Sequence, residues 1–340
     1  MKKILSIAVS FMLIVALLAG CGTNNQSKSS NKSNSNSSST STNNNNKQKT
    51  IEVIVKSTMF EYWQAVKLGA EDAGKKYGVN IVFQGPATET DIAGQINLVE
   101  DAINKKVDGI VLAASDPNSL APYVDKAVDA GIPVVGIDSA VNSQKLSSFV
   151  ATNNEAAAAL DADELAKLIG GKGKVAIVNF VAGAGTAIAR EKGFKDEIAK
   201  KYPNIQIVAT QYSDGDQAKA LSITEDLMTA HPDLAGIFGA NEGSAVGVAR
   251  AVEQKGMSGK IKVVGFDSSD NEINAIKNGS MQALVVQNPY KMGYLGVETV
   301  LKVLNGETVD KQIDTGATLV TKDNMNDPDI QKLLYPLGKK

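Results

Sequence analysis

Two short stretches of this chain occur twice. Val107-Asp-Gly-Ile-Val-Leu-Ala113 is echoed 127 residues later by Leu234-Ala-Gly-Ile-Phe-Gly-Ala240, and Val134-Val-Gly-Ile-Asp-Ser139 is echoed 129 residues later by Val263-Val-Gly-Phe-Asp-Ser268. Each is a short apolar, β-branched run closed by small or polar residues, the pattern of a strand buried on both faces. Nearly constant spacing in the same order indicates a duplicated unit, and two copies are too few for a solenoid. In open α/β sheets ligands bind beyond the carboxyl ends of the strands, so two facing copies would place both sets of strand ends on one cleft.

The flanking sequence alternates in the same way. Ile51 to Lys56 reads as a strand; Trp63, Val66, Ala70, Ala73 and Tyr77 then recur at intervals of three and four and stop at Gly78, a helix with its terminator. Strands at Val79–Gln84, Val107–Ala113 and Pro133–Asp138 alternate with helices near Asp91–Asn104 and Ser119–Ala130. The second half repeats the order, with strands at Lys174–Val181, Ile205–Tyr212, Leu234–Gly239 and Ile261–Asp267 and helices opening at Thr186, Gln217 and Glu242. The expected fold class is α/β: two similar doubly wound parallel-sheet lobes with a ligand cleft between them.

The N-terminus reads as an address and a leash. Lys2 and Lys3 precede an apolar run from Ile4 to Ala19, and Leu18-Ala19-Gly20-Cys21 is similar to a bacterial lipobox, in which the cysteine takes a diacylglyceryl group and becomes the mature N-terminus. Cys21 is the only cysteine of the chain. Residues 22–49 hold nine Asn, nine Ser, three Thr, two Gln, four Lys and one Gly, with nothing apolar to offset chain entropy. A coil of that length reaches roughly 30 Å, enough to clear a lipid headgroup layer. The expectation is a lipoprotein signal peptide over 1–21, a disordered tether over 22–49, and a body lipid-anchored on the extracytoplasmic face of the cell membrane. A Gram-positive cell is expected, since it has no outer membrane to retain a free secreted protein.

Composition excludes several classes. With 35 Lys+Arg against 37 Asp+Glu and no basic run longer than Lys-Lys, a nucleic-acid partner is disfavoured. One His and one Cys exclude Cys/His zinc sites and any mechanism needing two imidazoles, so no metal and no cofactor are expected. Gly183-Ala184-Gly185 invites a dinucleotide-loop reading, but Ile188 stands where that fingerprint needs glycine. His231 in Ala-His-Pro reads as a helix C-terminal residue, and Asp214-Gly215-Asp216 carries too few oxygens for a calcium loop. No enzyme is indicated.

Gly-Thr-Ala-Ile-Ala-Arg-Glu-Lys-Gly-Phe at 185–194, Ala-His-Pro-Asp-Leu-Ala-Gly-Ile-Phe-Gly-Ala-Asn-Glu at 230–242, Val-Val-Gly-Phe-Asp at 263–267 and Gln-Asn-Pro at 287–289 together carry a resemblance. The region from about Thr50 to Asn326 resembles a type I periplasmic binding protein of the ribose/galactose group, the sugar-capturing component of ABC importers. That resemblance implies three crossovers between the lobes, near Thr152–Asn154, Val286–Asn288 and about Gly316. Lobe one would comprise 50–152 and 289–316, lobe two 153–288 and 317–326, with 327–340 as a C-terminal tail. It further implies a monomer that captures a pentose, hexose or related polyol by lobe closure and delivers it to ABC transporter permease subunits. A sensory protein presenting its ligand to a chemoreceptor or histidine kinase is the alternative.

The resemblance also nominates residues, each with a plainer reading. Asp138 and Asp267 match ligand carboxylates, although Asp before Ser at a strand-to-helix turn is also a common helix N-cap. Arg190 matches a sugar-binding guanidinium, against a surface arginine paired with a nearby acid. Asn241 and Gln287 match amides that hold hydroxyls, against a plain hinge role for Gln287. Tyr62 and Trp63 align with the aromatic pair that clamps the ring, while Trp63 also begins the apolar helix stripe; as helix neighbours, both are not expected to turn inward. Two departures stand out. Ser139 follows Asp138 where the ribose pattern has Arg, and Gly215 stands where it has an aromatic, leaving Tyr212 and Asp214 as candidate replacements.

Overall fold

The computed structural model describes residues 48–338. The expected signal peptide with Cys21 and the expected tether up to residue 47 lie outside the described residues, as do 339 and 340. Among the described residues no helix is long and apolar enough to cross a membrane.

The first unit runs β1 (Thr50–Ile54), α1 (Glu61–Tyr77), β2 (Asn80–Gln84), α2 (Ile92–Lys105), β3 (Gly109–Leu112), α3 (Ala121–Asp129), β4 (Val134–Ile137) and β5 (Ser148–Ala151). The second runs α4 (Asn154–Leu168), β6 (Gly173–Asn179), α5 (Gly185–Lys201), β7 (Ile205–Tyr212), α6 (Gln217–Ala230), β8 (Leu234–Gly239), α7 (Glu242–Gln254), β9 (Lys262–Phe266), α8 (Asp270–Asn278) and β10 (Ala283–Gln287). The chain then returns as α9 (Pro289–Leu304) and β11 (Gln312–Asp314), and crosses once more into β12 (Ala317–Thr321) and α10 (Pro328–Leu334).

Two six-stranded sheets result, ordered β11-β5-β4-β3-β1-β2 and β12-β10-β9-β8-β6-β7. Every pairing is parallel except that of β12 with β10. Strands β1 to β4 and β6 to β9 occupy matching places, so the echoed segments are β3 with β8 and β4 with β9. β3 and β4 are buried at every residue because helices cover both faces, which is why these runs read as continuous rather than alternating. The chain passes between the sheets after β5, after β10 and after β11.

Helices fix the sites through close packing. α1 lies against α9, and α4 against α5. The reading from sequence gave no structure to the segment from 327 onward. Pro328 at the first position of α10 suits a helix start, and Leu334 at its end is buried in the second unit's core.

Candidate functional site

Loops beyond the carboxyl ends of both sheets converge on one cavity. Lys56 lies two residues past β1, Glu89 in the β2–α2 loop, Asp138 one past β4, Phe180 one past β6, Asn241 two past β8 and Asp267 one past β9; Gln287 ends β10. Together with Phe60, Tyr62, Trp63, Arg190 and Glu242 they line about 270 Å³ of unfilled space between the two units. All seven nominated cleft residues, Tyr62, Trp63, Asp138, Arg190, Asn241, Asp267 and Gln287, are on that lining.

The wall from the first unit is ionic and aromatic. Lys56 Nζ stands 3.3 Å from Asp138 Oδ2 and 3.7 Å from Glu89 Oε2, all three side chains being buried. Tyr62 Oη donates to Asp138 Oδ1 at 2.7 Å, and Trp63 Nε1 donates to Glu89 Oε1 at 3.2 Å. Burial works against the Lys56 charge, but Asp138 and Glu89 outweigh it and hold the ammonium above its ordinary pKa. Burial, reinforced by Asp138, keeps the Tyr62 phenol well above its usual range and so a donor.

Tyr62 and Trp63 both face the cavity, their rings edge to face with centroids 4.9 Å apart. This corrects the expectation that only one could turn inward. α1 starts at Glu61, so both residues sit in its first turn, and the end of the helix rather than one side addresses the cavity. Trp63 is core as well, being packed with Val66 and Ala70 in one apolar cluster.

On the opposite wall Arg190 is fully enclosed. Its Nε donates to Asn154 Oδ1 and its Nη1 to the Ala240 carbonyl, both at 2.8 Å, while the guanidinium lies 3.8 Å from the centre of the Phe266 ring. The surface-arginine reading is thereby overturned. Nη1 is also 3.8 Å from Asp267 Oδ2. Asp267 accepts from Gln287 Nε2 (2.7 Å) and from the Glu242 backbone N–H (3.1 Å). Burial raises its carboxyl pKa, with Arg190 and these hydrogen bonds pulling the other way.

The helix N-cap reading of the two aspartates fails. α8 is capped by Ser269, and no helix follows Asp138 directly. Both aspartates instead take a left-handed backbone, at φ 55° for Asp138 and 87° for Asp267. Asn241 is the residue that caps, its Oδ1 accepting from the Ser244 N–H at 2.9 Å at the start of α7.

The two departures have structural answers. Ser139 supplies no cation beside Asp138; Lys56 does. A Cβ on Gly215 would stand 3.8 Å from the Phe60 ring, so the aromatic surface missing from that loop comes from the other unit. Tyr212 and Asp214 do not replace it: Tyr212 Oη donates to Glu191 Oε2 at 2.7 Å, and Asp214 pairs with Lys219 at 2.5 Å, both off the lining. Sequence reasoning missed Lys56, Glu89, Phe60, Phe180 and Glu242. The one usable signal was a lysine ending the strand Ile51–Lys56 after three consecutive apolar residues.

Three cavity acceptors, Asp138 Oδ2, Glu89 Oε2 and Gln287 Oε1, have no hydrogen-bond partner among the protein's own groups. Buried acceptors are rarely left so, and their clustering on one cavity suits a ligand rich in O–H donors.

A family model described as a periplasmic binding protein domain matches residues 51–308. A D-ribose/D-allose-binding protein of Pseudomonas aeruginosa is 32% identical over 283 residues, spanning 80% of this chain and 88% of that one. Among solved structures, an ABC transporter solute-binding protein from Agrobacterium vitis with bound D-fucose superposes with a TM-score of 0.82 at 46% identity, covering 84% of this chain and 100% of that one. A carbohydrate transporter solute-binding protein from Agrobacterium radiobacter, in complex with D-arabinose, gives 0.83 at 42%, covering 85% and 99%. With its duplicated sheets, three crossovers and shared cleft, the chain belongs to the type I periplasmic binding proteins of the ribose/galactose group, solute-binding proteins and not enzymes.

Proposed function

We propose that this chain captures a neutral monosaccharide or related polyol between its lobes and delivers it to the permease of an ABC importer. Three acceptors on one cavity that make no hydrogen bond within the protein carry this reading, because a sugar presents several hydroxyl donors at once. Asp138, Asp267 and Gln287 would accept from hydroxyls, Arg190 and Asn241 would donate, and Tyr62 and Trp63 would cover the C–H face of the ring.

The moving bodies would be 50–152 with 289–316 and 153–288 with 317–326, acting in a monomer. The lipobox at Cys21 and the Asn/Ser tether support a lipid-anchored protein on the outer face of a Gram-positive membrane. Cys21→Ser should then release the protein into the medium with its ligand affinity intact, and retention on membranes would remove the anchor. Calorimetry against pentoses, hexoses and polyols tests the function itself: at least one should bind at micromolar concentration or below, and binding by none would overturn the reading.

A further inference from the structure

The two aromatic residues that open α1 do something their rings do not explain. Trp63 Nε1 holds one oxygen of Glu89, and Tyr62 Oη holds one oxygen of Asp138. In each carboxylate the second oxygen has no hydrogen-bond partner, and in each that oxygen is the one facing Lys56 Nζ, at 3.7 Å from Glu89 and 3.3 Å from Asp138. Lys56 Nζ is placed in turn, donating to Thr186 Oγ1 at 3.3 Å and standing 5.4 Å from the ring centres of both Trp63 and Phe180. The result is a row of acceptor, donor and acceptor on the cavity lining, each carboxylate held through its other oxygen by one aromatic side chain.

We propose that Glu89, Lys56 and Asp138 form a reader of two adjacent hydroxyls on the sugar, with Trp63 and Tyr62 as the positioning residues that aim its carboxylates. Two neighbouring hydroxyls of a ring match the row. Each donates to one carboxylate oxygen, and both accept from the shared ammonium. A sugar lacking either hydroxyl leaves a buried carboxylate oxygen unpaired, and sites built around a polar partner reject the analogue without it far more strongly than apolar pockets reject a missing methylene. The row therefore sets which deoxy sugars are refused. This rests on the sugar-binding reading above and goes beyond it in assigning selectivity to Lys56 and Glu89.

The test is calorimetry of the full chain with D-ribose, D-arabinose, D-fucose and D-allose, followed by the monodeoxy derivatives of the tightest binder. Wild type should refuse two derivatives with adjacent deoxy positions by on the order of 100-fold or more. In Lys56→Met/Glu89→Gln, which leaves the net charge unchanged, the ratio at one of those positions should fall toward one. Trp63→Phe keeps an aromatic ring but not the N–H, and should relax the same ratio several-fold; a purely stacking tryptophan would leave that ratio alone. If the double variant does not fold, the Trp63→Phe ratio decides. An undiminished ratio in the folded variants overturns the proposal while sugar binding stands. No binding of any of the four sugars by wild type overturns the proposal together with the sugar-binding reading.

Discussion

Asp138 and Asp267 sit at matching strand ends of the two halves and share a left-handed backbone that most side chains avoid, Asp and Asn being among the tolerant ones. Backbone in a sparsely populated region is typically kept where it aims a functional group. Because Asn accepts the same backbone, Asp267→Asn separates charge from conformation. Burial of Asp267 disfavours its charged form, so Asn should fold at least as stably as wild type in thermal unfolding. Affinity should nevertheless drop, since hydrogen bonds to a charged group contribute ~1.5–3 kcal/mol, about 10- to 150-fold in Kd. Asp267→Ala should lose affinity similarly and also melt lower, lacking that backbone tolerance. Wild-type affinity in Asp267→Asn would remove this carboxylate from the ligand's contacts. The two aspartates were legible because duplication marked them twice. Glu89 was not, since Thr88-Glu89-Thr90 has the composition of any solvated loop, and Lys56 read only as the last residue of a strand, its partners Glu89 and Asp138 being brought to it by the fold.

Helix packing determines where those side chains stand. A Cβ on Gly69 would lie 2.0 Å from the Tyr290 carbonyl oxygen, and one on Gly293 would lie 2.0 Å from that of Val66, so α1 and α9 touch backbone to backbone. Gly193 plays the same part between α5 and α4, 2.2 Å from the Glu155 carbonyl oxygen, and so brings Asn154 to Arg190. Gly293→Ala forces α1 and α9 apart. It should cost about 1–3 kcal/mol in denaturant unfolding, as overpacking does, and should weaken ligand binding because α1 carries Tyr62 and Trp63. An unchanged unfolding midpoint would show that the interface yields freely. Elements with a clear period, such as α1, were legible in the sequence, as were the β-branched central strands. α4 was not: Asn154, Ala158, Asp161 and Leu165 are all buried along a run of alanines and acids, leaving almost no polar-apolar contrast to read. β11, three residues long at the sheet edge, carries too little pattern to register.

At the scale of the whole molecule, the units meet through helix ends. α1 has no side-chain cap from its own residue Phe60; its Tyr62 N–H instead donates to Glu242 Oε2 at 3.4 Å, from the first turn of α7 across the cleft. In return the Asp270 N–H, at the start of α8, donates to Glu61 Oε2 of α1 at 3.4 Å. Each lobe thus lends a carboxylate to a helix N-terminus of the other, where negative charge is favoured. The chain between them is short, and Thr152 Oγ1 ties two crossovers together by donating to the Gly316 carbonyl at 3.2 Å. Glu242 makes this closed arrangement sensitive to pH. Burial, with Asp267 and then Glu61 adding negative charge beside it, pushes its pKa up to about 8, against 4.5 for a free glutamate. The Tyr62 and Glu61 backbone N–H groups oppose that rise without cancelling it. The proposed opening of the lobes would withdraw Tyr62 and Glu61 and hydrate the carboxyl, returning it toward its ordinary value. Closure therefore takes up a proton between those two pH values. The contribution to closing is complete below about 4.5, declines as pH climbs toward about 8 and is level above it. On the proposed capture by closure, affinity should weaken over that window by at most about tenfold per pH unit from this group. Asp267 titrates in the same cleft, so the quantity to measure is the difference between wild type and Glu242→Gln. Glutamine keeps an acceptor for the Tyr62 N–H but cannot ionise, and the wild-type decline relative to it should run from pH 5 to 8 and then stop. Parallel pH profiles for the two proteins would mean that Glu242 is equally protonated with the lobes open and closed, leaving the exchange of helix caps as a contact that titration does not control.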